Sequence, residues 1–502
     1  MIKLPLANCI GMKNLFLLNV FLLGAILSFA QIEKPNIIYI YADDLGYGEL
    51  GAYGQSLIKT PNLDKMAQEG MRFTQHYSGA PVCAPSRCML MTGKHPGHSY
   101  IRGNYELGGF KDEEEGGQMP LHEGAYTIAN MLKERGYATA LVGKWGMGVT
   151  GTSGSPLKHG FDYYYGYLDQ KQAHNHYPTH LWENDRWDSL KNPFINVHLP
   201  IQDTLHAKKE DFEYYKGKEY ASEKMTSKAL DFIELNKQHP FFLYLPFAIP
   251  HLSLQAPDEY IEKYKGQFEE KIYYGQKGYA ATRYPRSTYA AMISYLDDQV
   301  GIIMKKIKAL GLDENTIIMF SSDNGATFSA GVDTKFFNSV SGLRGLKMDL
   351  YEGGIRVPFI ARWPGKIKAN SISDLLSVQY DMMPTFAELT GKPIQHLDGM
   401  SLLPVLIGNE TKQQKHDFLY FEYPENGGQI AVRIGKWKGV RRNIRKDSTS
   451  PWELFDIEND PREQHDVSQF HSDIIGKMKV IVKREHLHPH ILEWDFIDPK
   501  TK

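Results

Sequence analysis

Short apolar runs alternate along the chain with longer amphipathic stretches. Four runs stand out: Asn36 to Tyr41, Tyr137 to Val142, Phe241 to Leu245 and Thr316 to Phe320. Each is nearly continuous rather than alternating, which predicts strands buried on both faces. Pro61 to Glu69, Thr127 to Arg135 and Tyr289 to Leu310 carry apolar residues at helical spacing, and a glycine stops each: Gly70, Gly136 and Gly311. The alternation predicts an α/β fold with a largely parallel sheet. There is no internal repeat and no low-complexity segment. The acidic run Asp112 to Glu115, followed by Gly116 and Gly117, reads as a solvated loop. Composition shifts after Pro404, and new strand-like runs at Leu419 to Tyr423 and Ile430 to Ile434 predict a smaller C-terminal domain. The expected division is a leader over 1–30, a catalytic domain over 31–405 and a C-terminal subdomain over 406–502.

Polar chemistry follows each of the four runs. Asp43-Asp44 follows the first, Gly143-Lys144 the second, Pro250-His251 the third and Asp323-Asn324-Gly325 the fourth. Ligands in open α/β sheets sit at the carboxyl ends of strands. Any one of these groups alone is ordinary turn chemistry. Together they predict one site.

Charge and composition exclude some partners. The formal charge of −2 over 502 residues supplies no global field for nucleic acid or an anionic membrane. The first 30 residues differ from the rest. Lys3 and Lys13 are their only charges, Leu15 to Ala30 is almost wholly apolar, and Ser28 and Ala30 place small residues at −3 and −1 of a cleavage site. This predicts a secretory signal, a mature start at Gln31 and an exported protein, periplasmic or secreted. Met12 offers a second possible start. The apolar stretch is short for a membrane span of about 20 residues, and no later stretch is long enough for one. Of three cysteines, Cys9 leaves with the leader. Cys83 and Cys88 are too far apart on a helix for a disulfide. Cys88 reads as a small buried apolar residue.

Cys83 begins the most informative stretch, Cys83-Ala84-Pro85-Ser86-Arg87-Cys88-Met89-Leu90-Met91-Thr92-Gly93. Pro85 suits the first turn of a helix. Cys83 then lies at a helix N-terminus, where free N–H groups and the dipole favour an anion. That setting, with Arg87 one turn in, predicts a lowered thiol pKa. The stretch resembles the signature of the type I, formylglycine-dependent sulfatases at every fixed position. The resemblance continues through Ala42 to Gly48, Gly143-Lys144-Trp145, Pro250-His251, Ser322 to Gly325, Leu343 to Lys347, Glu352 to Pro358 and Trp452 to Pro461. It implies an alkaline-phosphatase-like fold: a mixed, mostly parallel sheet between helices, then a smaller domain with a short antiparallel sheet. It implies that a separate maturing enzyme converts Cys83 to formylglycine (3-oxoalanine), whose hydrate is the nucleophile. It also implies one Ca²⁺ on Asp43, Asp44, Cys83, Asp323 and Asn324, all oxygen donors once Cys83 is converted. Arg87, Lys144 and Lys347 would hold sulfate oxygens, and His251 would protonate the leaving oxygen. Lys347 follows no strand end and rests on the resemblance alone.

One departure stands out. Many relatives read Gly-Lys-x-His, and here Gly146 replaces the histidine. His174, His176 and His180 are candidates for its task or for substrate binding, and Arg344 is a further substrate-binding candidate. A packing loop is the alternative for the three histidines. The substrate expected from the resemblance is a sulfated carbohydrate. Tyr163, Tyr164, Tyr165, Tyr167, Trp182 and Trp187 would suit a sugar-lined pocket, or simple packing. Lys436, Lys438, Arg441, Arg442, Arg445 and Lys446 would guide a polyanionic glycan, or form a solvated basic loop. Two other functions compete: a phosphonate monoester hydrolase or phosphodiesterase of the same superfamily, and a glycan-binding protein without catalysis.

Overall fold

The structure is a computed structural model that describes residue 1, residues 34–394 and residues 397–497. The expected leader from residue 2 on, with Cys9 and the expected cleavage site, lies outside the described residues. Among those described, no helix is long and apolar enough to cross a membrane. The described residues from Asn36 onward pack as one compact unit.

The centre is a ten-stranded mixed sheet. Five parallel strands form its heart, in the order Thr316–Ser322, Asn36–Ala42, Phe241–Pro246, Ala138–Lys144 and Tyr163–Tyr167. Asn36–Ala42 is the middle of the molecule: Ile38 pairs with Leu243 on one side and Ile318 on the other. Antiparallel strands extend both edges, Phe359–Arg362 beside Thr316–Ser322 and His180–Glu183 beside Tyr163–Tyr167.

Every residue of Asn36–Ala42 is buried because both faces are covered. Ile38, Ile40 and Ala42 join one core cluster with Met292, Leu296 and Ile303 of the helix Pro285–Ala309. Ile37, Tyr39 and Tyr41 join the opposite cluster with Ala84, Cys88 and Met91 of the helix Cys83–Thr92. The period-2 alternation of the strand thus feeds two helical layers. The predicted helices form at Pro61–Gln68, Ile128–Lys133 and Pro285–Ala309. The last starts four residues earlier than its apolar periodicity suggests, because Pro285 occupies its first turn. Thr127 caps the second through a capping box with Asn130.

A four-stranded antiparallel sheet, Leu419–Tyr423, Gln429–Ile434, Trp437–Arg441 and Trp452–Asp456, forms the C-terminal part. The expected acidic loop is the tip of a hairpin, Glu106–Gly108 with Glu115–Gln118, where Asp112–Glu114 make a short 3-10 turn. It is not simply solvated: Glu115 accepts from Trp182 Nε1 at 3.0 Å, and Asp112 accepts from the Thr179 hydroxyl at 2.7 Å.

Candidate active site

Asp43 and Asp44 sit just past the end of Asn36–Ala42, and Asp323 and Asn324 just past Thr316–Ser322. Because these strands are paired neighbours in parallel register, the two dipeptides meet. Asp44 N–H donates to Asp323 Oδ1 at 3.0 Å, and Asn324 Nδ2 donates to Asp44 Oδ1 at 2.7 Å. Asp44 holds a left-handed φ of 66°, a conformation that costs a non-glycine residue about 1–3 kcal/mol.

Cys83 opens its helix as predicted. Ala84 N–H, left unsatisfied by the helix, donates to Asn104 Oδ1 at 3.1 Å. The Cys83 thiol lies 3.5 Å from Asp43 Oδ1 and 3.5 Å from Lys347 Nζ. Its expected pKa lowering is reversed. Burial and the Asp43 carboxylate push the thiol up, against the pull of Lys144 and Lys347.

Three cations answer the three carboxylates. Lys144 Nζ lies 2.6 Å from Asp43 Oδ2. Arg87, fully buried, reaches Asp323 Oδ2 at 2.7 Å and Asp43 Oδ2 at 3.4 Å, and donates to Lys144 O at 2.9 Å. Lys347 Nζ lies 2.8 Å from Asp44 Oδ1. No strand delivers Lys347. Its N–H donates to Ala326 O at 3.0 Å, and the next N–H, of Met348, donates to Pro81 O at 2.9 Å. These bonds pin its loop between the other two motifs.

Burial disfavours charge on all three carboxyls. On Asp43 the field of Lys144, His251 and Arg87 wins, holding it well below the usual range. Asp44 is raised, since burial and Asp43 outweigh Lys347. Asp323 is pushed up to about 7 by burial and Asp43, despite Arg87. Asn324 Oδ1 is buried without a hydrogen-bond partner. Crowded carboxylates and an orphaned carbonyl oxygen form the donor set that a hard cation satisfies. The cluster Asp43, Asp44, Cys83 and His251 also brings one donor from each within 4.8 Å of the others. A hard cation prefers the carboxylate and amide oxygens to the imidazole of His251.

His251 Nδ1–H donates to Leu252 O at 2.6 Å, which leaves Nε2 toward Asp44 Oδ2, 3.7 Å away. Burial and Lys347 keep its pKa well below the usual value. His174 stacks on His251 with ring centroids 5.2 Å apart and planes at 13°. His176 stands behind His251, donating from Nε2 to its backbone oxygen at 2.9 Å. His180 does not contact His251; it pairs with Glu115 at 3.3 Å and stacks on Trp187 at 3.8 Å. Arg344 also turns away, to Glu453 at 3.3 Å and onto the Tyr351 ring at 3.8 Å. At Gly146 the backbone is left-handed, and an added Cβ would fall 2.3 Å from Gln170 Nε2. Gln170 therefore fills the space beside the residue that replaces the family's histidine.

Two readings left open by the sequence are narrowed by the structure. Tyr164, Tyr165 and Tyr167 are core residues of the sheet, not sugar contacts, because both of its faces are covered. Half of the basic stretch is paired with acids: Lys438 is buried between Glu352 and Glu463 at 2.9 Å each, Lys436 pairs with Asp456 at 2.7 Å, and Arg442 with Asp349 at 3.2 Å. Sequence reasoning also misses Tyr279 and His198, which contact His174. Both lie outside the recognised motifs, and neither follows one of the four strands.

The family model described as Sulfatase matches residues 35–392, and that of the N-sulphoglucosamine sulphohydrolase C-terminal region matches residues 346–486. Human arylsulfatase A is 32% identical, covering 89% of this chain and 86% of that protein. The N-acetylgalactosamine-6-O-sulfatase of Bacteroides thetaiotaomicron is 28% identical over 90% of this chain and 93% of its own. The crystal structure of Ps i-CgsB in complex with k-i-k-neocarrahexaose superposes with a TM-score of 0.73, at 30% identity over 91% of this chain and 94% of that one. Sequence match, shared alkaline-phosphatase-like fold and the buried site at the strand ends agree: this chain belongs to the sulfatase family and is a hydrolase of sulfuric esters.

Proposed function

We propose that this enzyme removes sulfate from a sulfated carbohydrate, using oxidised Cys83 as nucleophile and one Ca²⁺ held by Asp43, Asp44, Asp323 and Asn324. The observation that carries the chemistry is the meeting of Cys83, three carboxylates and the orphaned Asn324 Oδ1 in one buried cluster. When present, the cation would offset the carboxylates and polarise a sulfate oxygen, and the oxidised side chain would supply the attacking oxygen. The maturing enzyme that oxidises Cys83 is a required partner. The leader-like first 30 residues support action outside the cytoplasm.

The chain's own groups divide the remaining work. Lys144, Lys347 and Arg87 balance the three acids, so an added dication leaves net positive charge for an anionic ester. Lys144 and Lys347 flank the nucleophile and bind sulfate oxygens. Arg87, tied to both Asp323 and Lys144 O, holds the floor rigid. His251 is fixed by its bond to Leu252 O and presents Nε2 as the proton carrier for the leaving oxygen. Burial keeps the ring neutral in the free enzyme, and a bound anionic ester beside it favours the protonated form.

His174 takes the task left open by Gly146. His198 Nδ1–H donates to Gly278 O, so the neutral His198 ring accepts at Nε2 from His174 Nδ1–H at 3.2 Å. His174 then carries its lone pair on Nε2, as a base must. Single-turnover kinetics of His174→Ala should show slowed sulfate release with little change in alcohol release. Equal rates of both steps to wild type would remove His174 from the reaction.

The glycan assignment draws on relatives named for sulfated N-acetylgalactosamine and on the neocarrahexaose complex. Defined sulfated mono- and disaccharides, galactose-configured ones first, should release sulfate faster than an aryl sulfate. Turnover of aryl sulfate alone, with no carbohydrate accepted, would sink the assignment.

A further inference from the structure

A second cluster of metal-competent side chains lies away from this site, where the last helix meets the C-terminal sheet. Helix Ser472–Glu485 ends at His486, and the turn Leu492–Trp494 brings Asp495 back onto it. His486 Nδ1–H donates to Glu422 Oε2 at 2.8 Å. Glu422 is itself fully buried, and accepts from Tyr420 at 2.6 Å and from Arg102 Nη1 at 2.5 Å. The carboxylate therefore fixes Nδ1 as the donor, and in the neutral ring the lone pair of His486 falls on Nε2.

That Nε2 is buried without a hydrogen-bond partner, on a side chain only 6% exposed. It points at Asp495 Oδ1, 3.7 Å away. His488 Nδ1 lies 3.0 Å from Asp495 Oδ2. One donor atom from each of His486, His488 and Asp495 lies within 4.8 Å of the others. Tetrahedral Zn²⁺ with bonds near 2.0–2.1 Å separates its donors by about 3.3 Å, so small side-chain shifts suffice. A carboxylate fixing one imidazole nitrogen while the other faces a metal is the usual outer-shell arrangement of zinc histidines.

We propose that His486, His488 and Asp495 bind a transition-metal dication, Zn²⁺ by ligand chemistry, in a site distinct from the catalytic centre. Two imidazoles and one carboxylate suit Zn²⁺ and not Ca²⁺, which seeks oxygen. His488, 38% exposed, leaves the fourth position open to water. The ion fastens the segment His486 to Asp495, after the helix Ser472–Glu485, to Glu422 and Arg102. Arg102 in turn bonds Gly97 O at 2.8 Å and Ser99 O at 3.0 Å, in the loop that follows the Cys83 helix, and Leu487 O at 2.7 Å, between His486 and His488. Its role is therefore to brace the support of the catalytic helix.

The test uses the full chain saturated with Ca²⁺, titrated with Zn²⁺ alone and followed by native mass spectrometry and thermal unfolding. One Zn²⁺ per chain and a raised Tm are expected. His488→Ala and Asp495→Asn should each weaken uptake by at least about tenfold while leaving Ca²⁺-dependent sulfate release within about twofold of wild type. His98→Ala, which alters the neighbouring His95–His98–Glu485 cluster, should leave uptake unchanged. No uptake by wild type, or equal uptake by both ligand variants, overturns the proposal.

Discussion

Two buried ionic clusters in this protein use the same residue types to opposite ends. Around Asp44, three carboxylates face Arg87, Lys144 and Lys347. Around Glu352, two carboxylates face Lys438, Arg433 and Arg356. In the second, each carboxylate oxygen lies within 2.9 Å of a cation or a donor. Glu352 Oε1 meets Lys438 at 2.9 Å, its Oε2 accepts from Tyr77 at 2.7 Å, and Glu463 takes Lys438 on one oxygen and Glu352 N–H on the other. It joins the main body, through Tyr77, to the C-terminal sheet. The first is unfinished: Asn324 Oδ1 lacks a partner, and Asp44 is held at positive φ. Complete compensation makes a joint, and incomplete compensation leaves a site that a ligand completes.

The contrast breaks if mutations at the two clusters act alike. The largest effect is expected at Cys83. Cys83→Ala should lower kcat/KM by about 10⁵-fold, and peptide mass spectrometry of active wild type should find Cys83 lighter by about 18 Da. Full activity with an intact thiol would contradict the mechanism. Asp323→Asn should cost about 10³-fold, matched by Ca²⁺ chelation of wild type and not additive with it. Lys347→Ala should lower kcat by about 10²–10³-fold, as removal of a charge-stabilising donor does.

Lys438→Met probes the other cluster. Leaving Glu352 and Glu463 buried without their lysine should cost about 3–5 kcal/mol of stability in urea denaturation, with kcat per folded molecule unchanged. Loss of kcat at unchanged stability would erase the distinction. The smallest effect is in pH dependence. Lys438, Arg433 and Arg356 overcome burial and hold Glu352 down to about 2 from its usual 4.5, so its stabilisation is present above 4.5 and lost as pH falls toward 2. Burial and Glu352 push Glu463 up to about 7 against Lys438, so its share of stability declines as pH rises from 4.5 to about 7. Glu463→Gln should flatten Tm over that upper window and leave the lower one intact.

Much of the site is legible in the amino-acid sequence, for a physical reason. Asp43-Asp44, Lys144 and Asp323-Asn324 end continuous apolar runs, and such runs become neighbouring parallel strands whose carboxyl ends share one edge. Cys83 is legible because Pro85 marks a helix start. Lys347 is not, since backbone bonds to Ala326 and Pro81 bring it in. The directions of His180 and Arg344 are not legible because a side chain's direction in a loop depends on partners far along the chain. Glu115 for His180 and Glu453 for Arg344 are such partners. The tyrosines of Tyr163–Tyr167 are ambiguous because an edge strand and a covered strand can share one sequence pattern.

The amino-acid sequence alone determined the α/β class, the strand-end chemistry and the motif around Cys83, because local periodicity and short-range spacing encode these. Tertiary structure decided which charges cancel. The basic stretch 436–446 has the composition of a docking surface, yet Lys438 is enclosed by Glu352 and Glu463, distant in sequence and adjacent in space. It also decided that His174, not His176 or His180, stacks on His251, and that Gln170 fills the space beside Gly146. Compensation of charge and direction of side chains are properties of long-range packing, and no local window contains them.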